Sequence, residues 1–137
     1  MTQLPQHYVI IGNGVAGNEA AWHLRQRDPD SRITIITAGR LLFINRYDLP
    51  KLFNGAGDGD WRQFLVHTPE YYTDNKINVR RNTWVDQVDA LGKTLTLRHK
   101  ETVAYDKLLI ASGGGGHVLE GLREYRHLMH PFGTYGD

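Results

Sequence analysis

The stretch that most constrains this chain is Gly12-Asn13-Gly14-Val15-Ala16-Gly17, three glycines spaced as G-x-G-x-x-G. It directly follows Tyr8-Val9-Ile10-Ile11, a short, continuous apolar run rich in β-branched residues. It opens residues 15–27, where Ala16, Ala20 and Leu24 recur at i, i+4 and i+8. The run reads as a strand buried on both faces of a parallel sheet. The segment after it reads as a helix whose apolar face carries those three residues, with Asn18, Arg25 and Gln26 mostly elsewhere. Asp28-Pro29-Asp30 stops the helix. Each glycine then has a task. Gly12 lets the strand turn sharply, Gly14 leaves out a Cβ where backbone can approach a pyrophosphate, and Gly17 lets the helix pack close to the sheet. The helix N-terminus offers unbonded N–H groups and about half a unit of positive charge to that anion. The hexapeptide alone is a weak signal; the strand before it and the helix after it give it a dinucleotide-binding reading.

A second β-branched run, Ile33-Thr34-Ile35-Ile36-Thr37, completes strand, helix and strand within about 30 residues, the size of a βαβ unit. The two strands are expected as parallel neighbours. An acid should follow about 20 residues after the glycines to hold ribose hydroxyls, but the chain reads Thr37-Ala38-Gly39-Arg40 there. Two readings stay open. In one, Thr37 or backbone groups hold the ribose. In the other, the ribose site is weakened or Arg40 meets a phosphate. A merely solvated Arg40 is as good an account of that residue.

Further along, Leu49-Pro50-Lys51-Leu52-Phe53 suggests a short helical turn, and residues 54–60 a turn-rich loop. Thr68-Pro69 reads as an N-cap and first helical residue of a short helix ending at Asp74. Ile77-Asn78-Val79 is a third strand. The period then changes to 2. Residues 84–88, 94–97 and 102–104 read as an antiparallel β-meander joined by tight turns. Leu108-Leu109-Ile110-Ala111 returns as a buried apolar strand, and residues 118–137 show no periodicity. The fold class is therefore α/β, a Rossmann-like parallel sheet with an added antiparallel meander.

Sixteen basic and fifteen acidic residues leave a net charge of +1, so nothing in the charge balance argues for nucleic acid or anionic lipid as a partner. The 137 residues contain no Cys, which excludes a disulfide framework, a thiolate metal site or a redox dithiol within this chain. No run approaches a membrane span, and the polar N-terminus with Pro5 lacks a signal-peptide core, so a cytoplasmic location is the default. Other signals are bland. His117, His127 and His130 lack ligand spacing for a metal. Gly113 to Gly116 precede no Lys-Ser/Thr, so they form no P-loop. Asp58-Gly59-Asp60 reads as a polar turn rather than a calcium site. Tyr71, Tyr72 and Trp84 are expected in or over the core.

Four stretches together resemble the N-terminal FAD-binding region of the FAD-dependent pyridine nucleotide-disulfide oxidoreductase superfamily, especially members without a redox disulfide: rubredoxin and ferredoxin reductases and the NADH-dependent nitrite reductase large subunit. They are residues 7–17 with Ala20-Ala21 and Leu24-Arg25; residues 33–37; Val85-x-x-Val88-Asp89 with Lys93-x-Leu95-x-Leu97; and Tyr105-Asp106-Lys107-Leu108-Leu109-Ile110-Ala111-Ser112-Gly113-Gly114. The resemblance implies FAD as cofactor and NAD(P)H as co-substrate. It places Gly12, Asn13, Gly14, Val15, Ala16 and Gly17 at the pyrophosphate, the Val85 backbone at the adenine, and Ala111, Ser112 and Gly113 beside the dinucleotide. Thr37 stands where the ribose acid is missing. Arg46 falls where the family places a basic residue near the flavin ring, where a fixed cation stabilises charge on reduced flavin; Tyr47 stands where the family often has Pro. The resemblance also implies residues 1–113 as the first part of an FAD-binding domain and 114–137 as the start of a crossing to an NAD(P)H-binding domain in the same enzyme. With no Cys in residues 41–45, electrons would leave the flavin for a separate acceptor, such as a small electron-carrier protein, or for a centre elsewhere in the protein.

Overall fold

Parallel strands buried on both faces need cover from two layers, and this chain supplies them from different parts of its length. The computed structural model describes residues 5–52, 60–115 and 118–129. Strand β1 (His7–Ile11), helix α1 (Val15–Arg27) and strand β2 (Arg32–Ile36) form the first unit; helix α2 (Pro69–Asp74) leads into β3 (Ile77–Arg80). A meander of β4 (Val85–Asp89), β5 (Thr94–Leu97) and β6 (Thr102–Ala104) precedes β7 (Lys107–Ile110). The main sheet has the order β3-β2-β1-β7 and is parallel throughout, with Ile10 level with Ile35 on one side and Leu109 on the other. The meander is a separate antiparallel sheet, β4-β5-β6.

Alternation along the strands divides the core in two. Ile10, Ile33, Ile35 and Ile77 face the helices and pack with Ala21 and Tyr72. Val9 and Ile36 face the meander and pack with Leu95, Leu97 and Tyr105. His7 fastens the meander side at the start of the strands. Its Nδ1–H donates to the Ala104 carbonyl (2.9 Å), so the neutral ring accepts at Nε2 from the Thr34 hydroxyl (3.0 Å). Its backbone N–H donates to the Asp106 carboxylate (2.7 Å). Burial, then the Arg32 charge, lowers the imidazole pKa from 6.5.

The sequence reading needs correction in several places. The buried stripe of α1 is Gly17, Asn18, Ala21 and Arg25, while Ala16 is exposed and Ala20 and Leu24 are only half-buried. Hydropathy missed this stripe because Gly17 has no side chain to score and because two of its members are polar. Arg25 is only 9% exposed. Its guanidinium donates to the carbonyls of Asn75 (2.8 Å), Lys76 (3.0 Å) and Pro29 (2.6 Å), which compensates its burial. Strand β7 is an edge strand, not a buried one: Leu109 is 41% and Ile110 62% exposed. Trp84 is 40% exposed and lies beneath the Arg98 guanidinium, 4.8 Å from its ring centroid. Thr68 occupies the cap position of α2 without a side-chain cap bond. The helical turn begins earlier than expected, as a 3-10 helix over Arg46–Leu52, and two more 3-10 segments, Trp61–Phe64 and Glu120–Leu128, lie where no element was expected. Strand ends differ from the sequence reading by one residue, within the ordinary fraying of boundaries. Residues 53–59, Gly116, His117 and His130 lie outside the described residues, and with them most of the expected loop and the Asp58-Gly59 pair.

Candidate functional site

The C-terminal ends of β1, β2 and β7 meet at the glycine turn. Gly12 donates its N–H to the Ile36 carbonyl (2.8 Å), and Ala111 donates to the Ile11 carbonyl (2.7 Å). Gly12 holds φ at +116°, and a Cβ there would collide with the Ala111 carbonyl; both facts restrict the position to glycine. A Cβ on Gly17 would strike the Gly12 carbonyl, so the helix lies directly against the turn. Around the position of a Cβ on Gly14 there is open space to 4 Å. The three glycines thus answer three different demands, and the middle one faces outward.

Gly14 is the N-cap of α1. No side chain caps the helix, and its first turn contains no acidic residue. The first N–H groups of any helix lack intrahelical partners, and here Val15 and Ala16 are exposed beside them. The positive end of the helix dipole therefore faces the open side of the turn with no acidic residue in the helix's own first turn. The turn lies at the C-terminal ends of the parallel strands, the side on which such sheets bind ligands.

Side chains behind the turn fix its shape. Asn18, 3% exposed, donates from Nδ2 to Asn13 Oδ1 (2.9 Å) and to the Gly14 carbonyl (2.9 Å). Its Oδ1 accepts from the Tyr72 hydroxyl (2.7 Å). Burial pushes the Tyr72 phenol up to about 12, so it remains a neutral donor. Sequence reasoning missed both residues. The available signal was the i, i+4 spacing of Gly14 and Asn18. Asn13 is consequently committed inward, with a longer 3.4 Å bond to the Leu41 carbonyl; only its backbone faces the turn's open side.

The remaining sequence-derived residues fall into two groups. Ala111, Ser112 and Gly113 follow β7 past Gly12; Ser112 and Gly113 are exposed, and Gly113 has φ +74°. Thr37 follows β2. Its hydroxyl accepts from the Gly39 N–H (3.1 Å), its N–H donates to the Arg80 carbonyl (2.9 Å), and its own carbonyl accepts from Thr83 (2.9 Å). That last bond draws the chain entering Val85 toward the end of β2, and Val85 packs on the meander-side core. Glycine turn, Thr37, Val85 and Ala111 to Gly113 are thus linked through backbone contacts. Arg46 is not: it is exposed in its 3-10 segment, and no described hydrogen bond or ion pair ties its guanidinium to the turn. The segment is shaped by Asn45, which donates to the Asp48 carboxylate (2.7 Å) and accepts from the Tyr47 N–H (3.2 Å). Lys51 of the same segment pairs with Asp48. Arg40 is also exposed; its carbonyl accepts from Arg81 (3.2 Å). Arg80 makes a bidentate bond to Glu101 (2.7 and 2.6 Å), which holds that carboxyl below the usual range.

Among the described residues no group of three metal-ligating side chains comes together, and no helix is long and apolar enough to cross a membrane. His127 lies exposed in Glu120–Leu128, its ring bonded to the Glu124 carbonyl (3.1 Å).

Comparison with known proteins gives a consistent result. The family model described as pyridine nucleotide-disulphide oxidoreductase matches residues 6–132. The chain is 36% identical over 109 residues to the ferredoxin–NAD(+) reductase component of the anthranilate 1,2-dioxygenase system of Burkholderia cepacia, covering 77% of this chain and 26% of that protein. It is 30% identical over 112 residues to rubredoxin-NAD(+) reductase of Pseudomonas putida, covering 81% and 29% respectively. Among solved structures, NADH:rubredoxin oxidoreductase from Clostridium acetobutylicum superposes with a TM-score of 0.75 at 27% identity, over 85% of this chain and 30% of that one. The chain therefore spans 26–29% of the length of these two curated relatives.

Proposed function

Because the chain belongs to the pyridine nucleotide-disulphide oxidoreductase family, we propose that it forms the FAD-binding portion of an NAD(P)H-dependent flavoprotein that passes electrons to a separate acceptor. The observation that carries this is the glycine turn: an uncapped, acid-free, exposed helix N-terminus beside a Gly14 with open space where a side chain would be. That cradle fits a pyrophosphate. The backbone N–H groups of Gly14, Val15 and Ala16 would bind its oxygens, and Gly12 and Gly17 would hold those groups in place. Asn13 contributes backbone only, since its side chain is tied to Asn18.

Thr37 is the group at the end of β2 with a hydroxyl to offer the ribose. Its oxygen already accepts from Gly39, which leaves the hydroxyl proton free to donate. The Val85 backbone would meet the adenine, and Ala111, Ser112 and Gly113 would border the dinucleotide where β7 ends. Arg46 would stand near the flavin ring. Bound flavin supplies hydride acceptance and onward electron transfer; the protein positions it and tunes its electronics. Residues 1–113 would be the first part of the FAD domain and 114–137 the start of the crossing to the NAD(P)H domain. In the whole enzyme the acceptor would be a small electron-carrier protein, with the reaction in the cytoplasm.

The test is cofactor content. In the whole enzyme FAD should be bound with its fluorescence quenched, and Gly14→Val should lose it while keeping the far-UV circular dichroism; residues 1–137 alone should bind FAD weakly or not at all. A whole enzyme that is colourless, stabilised by NAD(H) and indifferent to FAD would overturn the proposal in favour of a nucleotide-binding module without flavin.

A further inference from the structure

A second recess lies on the outer surface of the helix layer, formed by side chains that the glycine site does not use. It is a cleft of about 250 Å³ lined by Glu19, Trp22, His67 and Tyr71. Glu19 and Trp22 are three residues apart on α1 and so share one face. His67 and Tyr71 flank the start of α2, their rings stacked with centroids 3.9 Å apart and planes within 12°. The recess is therefore bordered by an indole and a carboxylate from α1 and by two stacked aromatic rings at the start of α2.

The walls are held in register from beneath. Asn18 and Tyr72, the chain neighbours of Glu19 and Tyr71, are joined by their buried 2.7 Å hydrogen bond. Arg25, near the far end of α1, bonds the carbonyls of Asn75 and Lys76 just after α2. The two helices are thus cross-tied near both ends, and the cleft is built before anything enters it. Such preorganisation lowers the ordering cost of binding.

Its lining is one carboxylate and three aromatic rings. Aromatic faces carry negative electrostatic potential and attract cations. Glu19 adds a full negative charge and has no ion-pair partner among the described residues. Its field reaches Tyr71, whose phenol it helps to raise after burial, the larger cause. We propose that this cleft is a binding site for an organic cation of the guanidinium or quaternary ammonium type, held by Trp22 and Tyr71 through their rings and by Glu19 through its charge. The inference goes beyond the flavoprotein reading and is independent of it.

The experiment is a titration of the ¹⁵N-labelled chain with tetramethylammonium, with N-acetylarginine amide, and with neutral neopentyl alcohol and sodium chloride as controls, following the Trp22 indole N–H. Saturable shifts with either cation and none with the controls are expected; the ranking of the two cations identifies the preferred head group. Trp22→Leu, followed at the Tyr71 backbone amide instead, should weaken binding by about 2- to 5-fold, the contribution of one ring at an exposed site. Glu19→Gln, at an exposed position that leaves the fold intact, should weaken it without altering the other amide shifts. Equal binding of the neutral alcohol, or full binding by Glu19→Gln, overturns the proposal. FAD content plays no part in this readout, so loss of the flavin reading would leave the result interpretable.

Discussion

The glycine turn and the segment carrying Arg46 stand at opposite extremes of structural definition. In the turn, the surrounding backbone dictates almost every position: Gly12 and Gly17 are each enforced by a carbonyl, and Asn18 bonds the Gly14 carbonyl from behind. The Arg46–Leu52 segment is organised by its own local bonds, Asn45 to Asp48 and Lys51 to Asp48, and leaves Arg46 exposed. A site built from backbone is complete once the first βαβ unit forms. A site built from a long side chain needs a further surface or ligand to orient it. The turn is therefore expected to govern whether a dinucleotide binds, and Arg46 to adjust its properties.

The largest effect that could break this contrast is at Gly17. A Val there meets backbone rather than a movable side chain, and unfolding free energy should fall by about 3 kcal/mol or more, measured by urea denaturation. A variant of native stability would show that the helix does not rest on the turn. Asn18→Ala should cost about 1–3 kcal/mol, because it strands the buried Tyr72 hydroxyl and the Asn13 side chain. Little change in stability there would mean that water replaces the amide. Gly14→Val separates binding from folding. Its backbone (φ −94°) suits any residue, so the cost should be confined to the poorer N-cap, about 1 kcal/mol. FAD affinity should nonetheless drop by about 10- to 100-fold as charge-assisted hydrogen bonds are lost, each contributing about 1.5–3 kcal/mol.

Arg46→Gln sharpens the other side. Neither stability nor FAD affinity should change much, but the midpoint potential of bound flavin should fall by about 20 mV, the two-electron equivalent of roughly 1 kcal/mol. A large stability loss would contradict its exposed placement. The smallest effect lies at the opposite end of the sheet. The folded-state pKa of His7 is lowered below 6.5, so the unfolded chain binds that proton more readily. The contribution is present above pH 6.5 and is lost as pH falls through the folded-state value. His7→Asn should flatten that part of the stability profile and leave FAD affinity unchanged. A pH slope identical to the parent protein's would remove His7 from the account.

The sequence by itself determined the first βαβ unit, the meander and the structural tasks of Gly12 and Gly17. Those features are written in local periodicity and in glycine's lack of a side chain, which neighbours along the chain suffice to express. Helix α1 begins at Val15 and ends at Arg27 as its composition dictates. Only the tertiary structure decided which face of that helix is buried. Asn18 and Arg25 go inward because Tyr72 and the Asn75 and Lys76 carbonyls, some fifty residues away, meet their hydrogen-bonding needs. Likewise, Leu109 and Ile110 read as core from composition, yet they lie at the sheet edge because nothing described pairs beyond β7. Burial of a polar group, or exposure of an apolar one, depends on partners distant in sequence, and no periodicity within one segment records them.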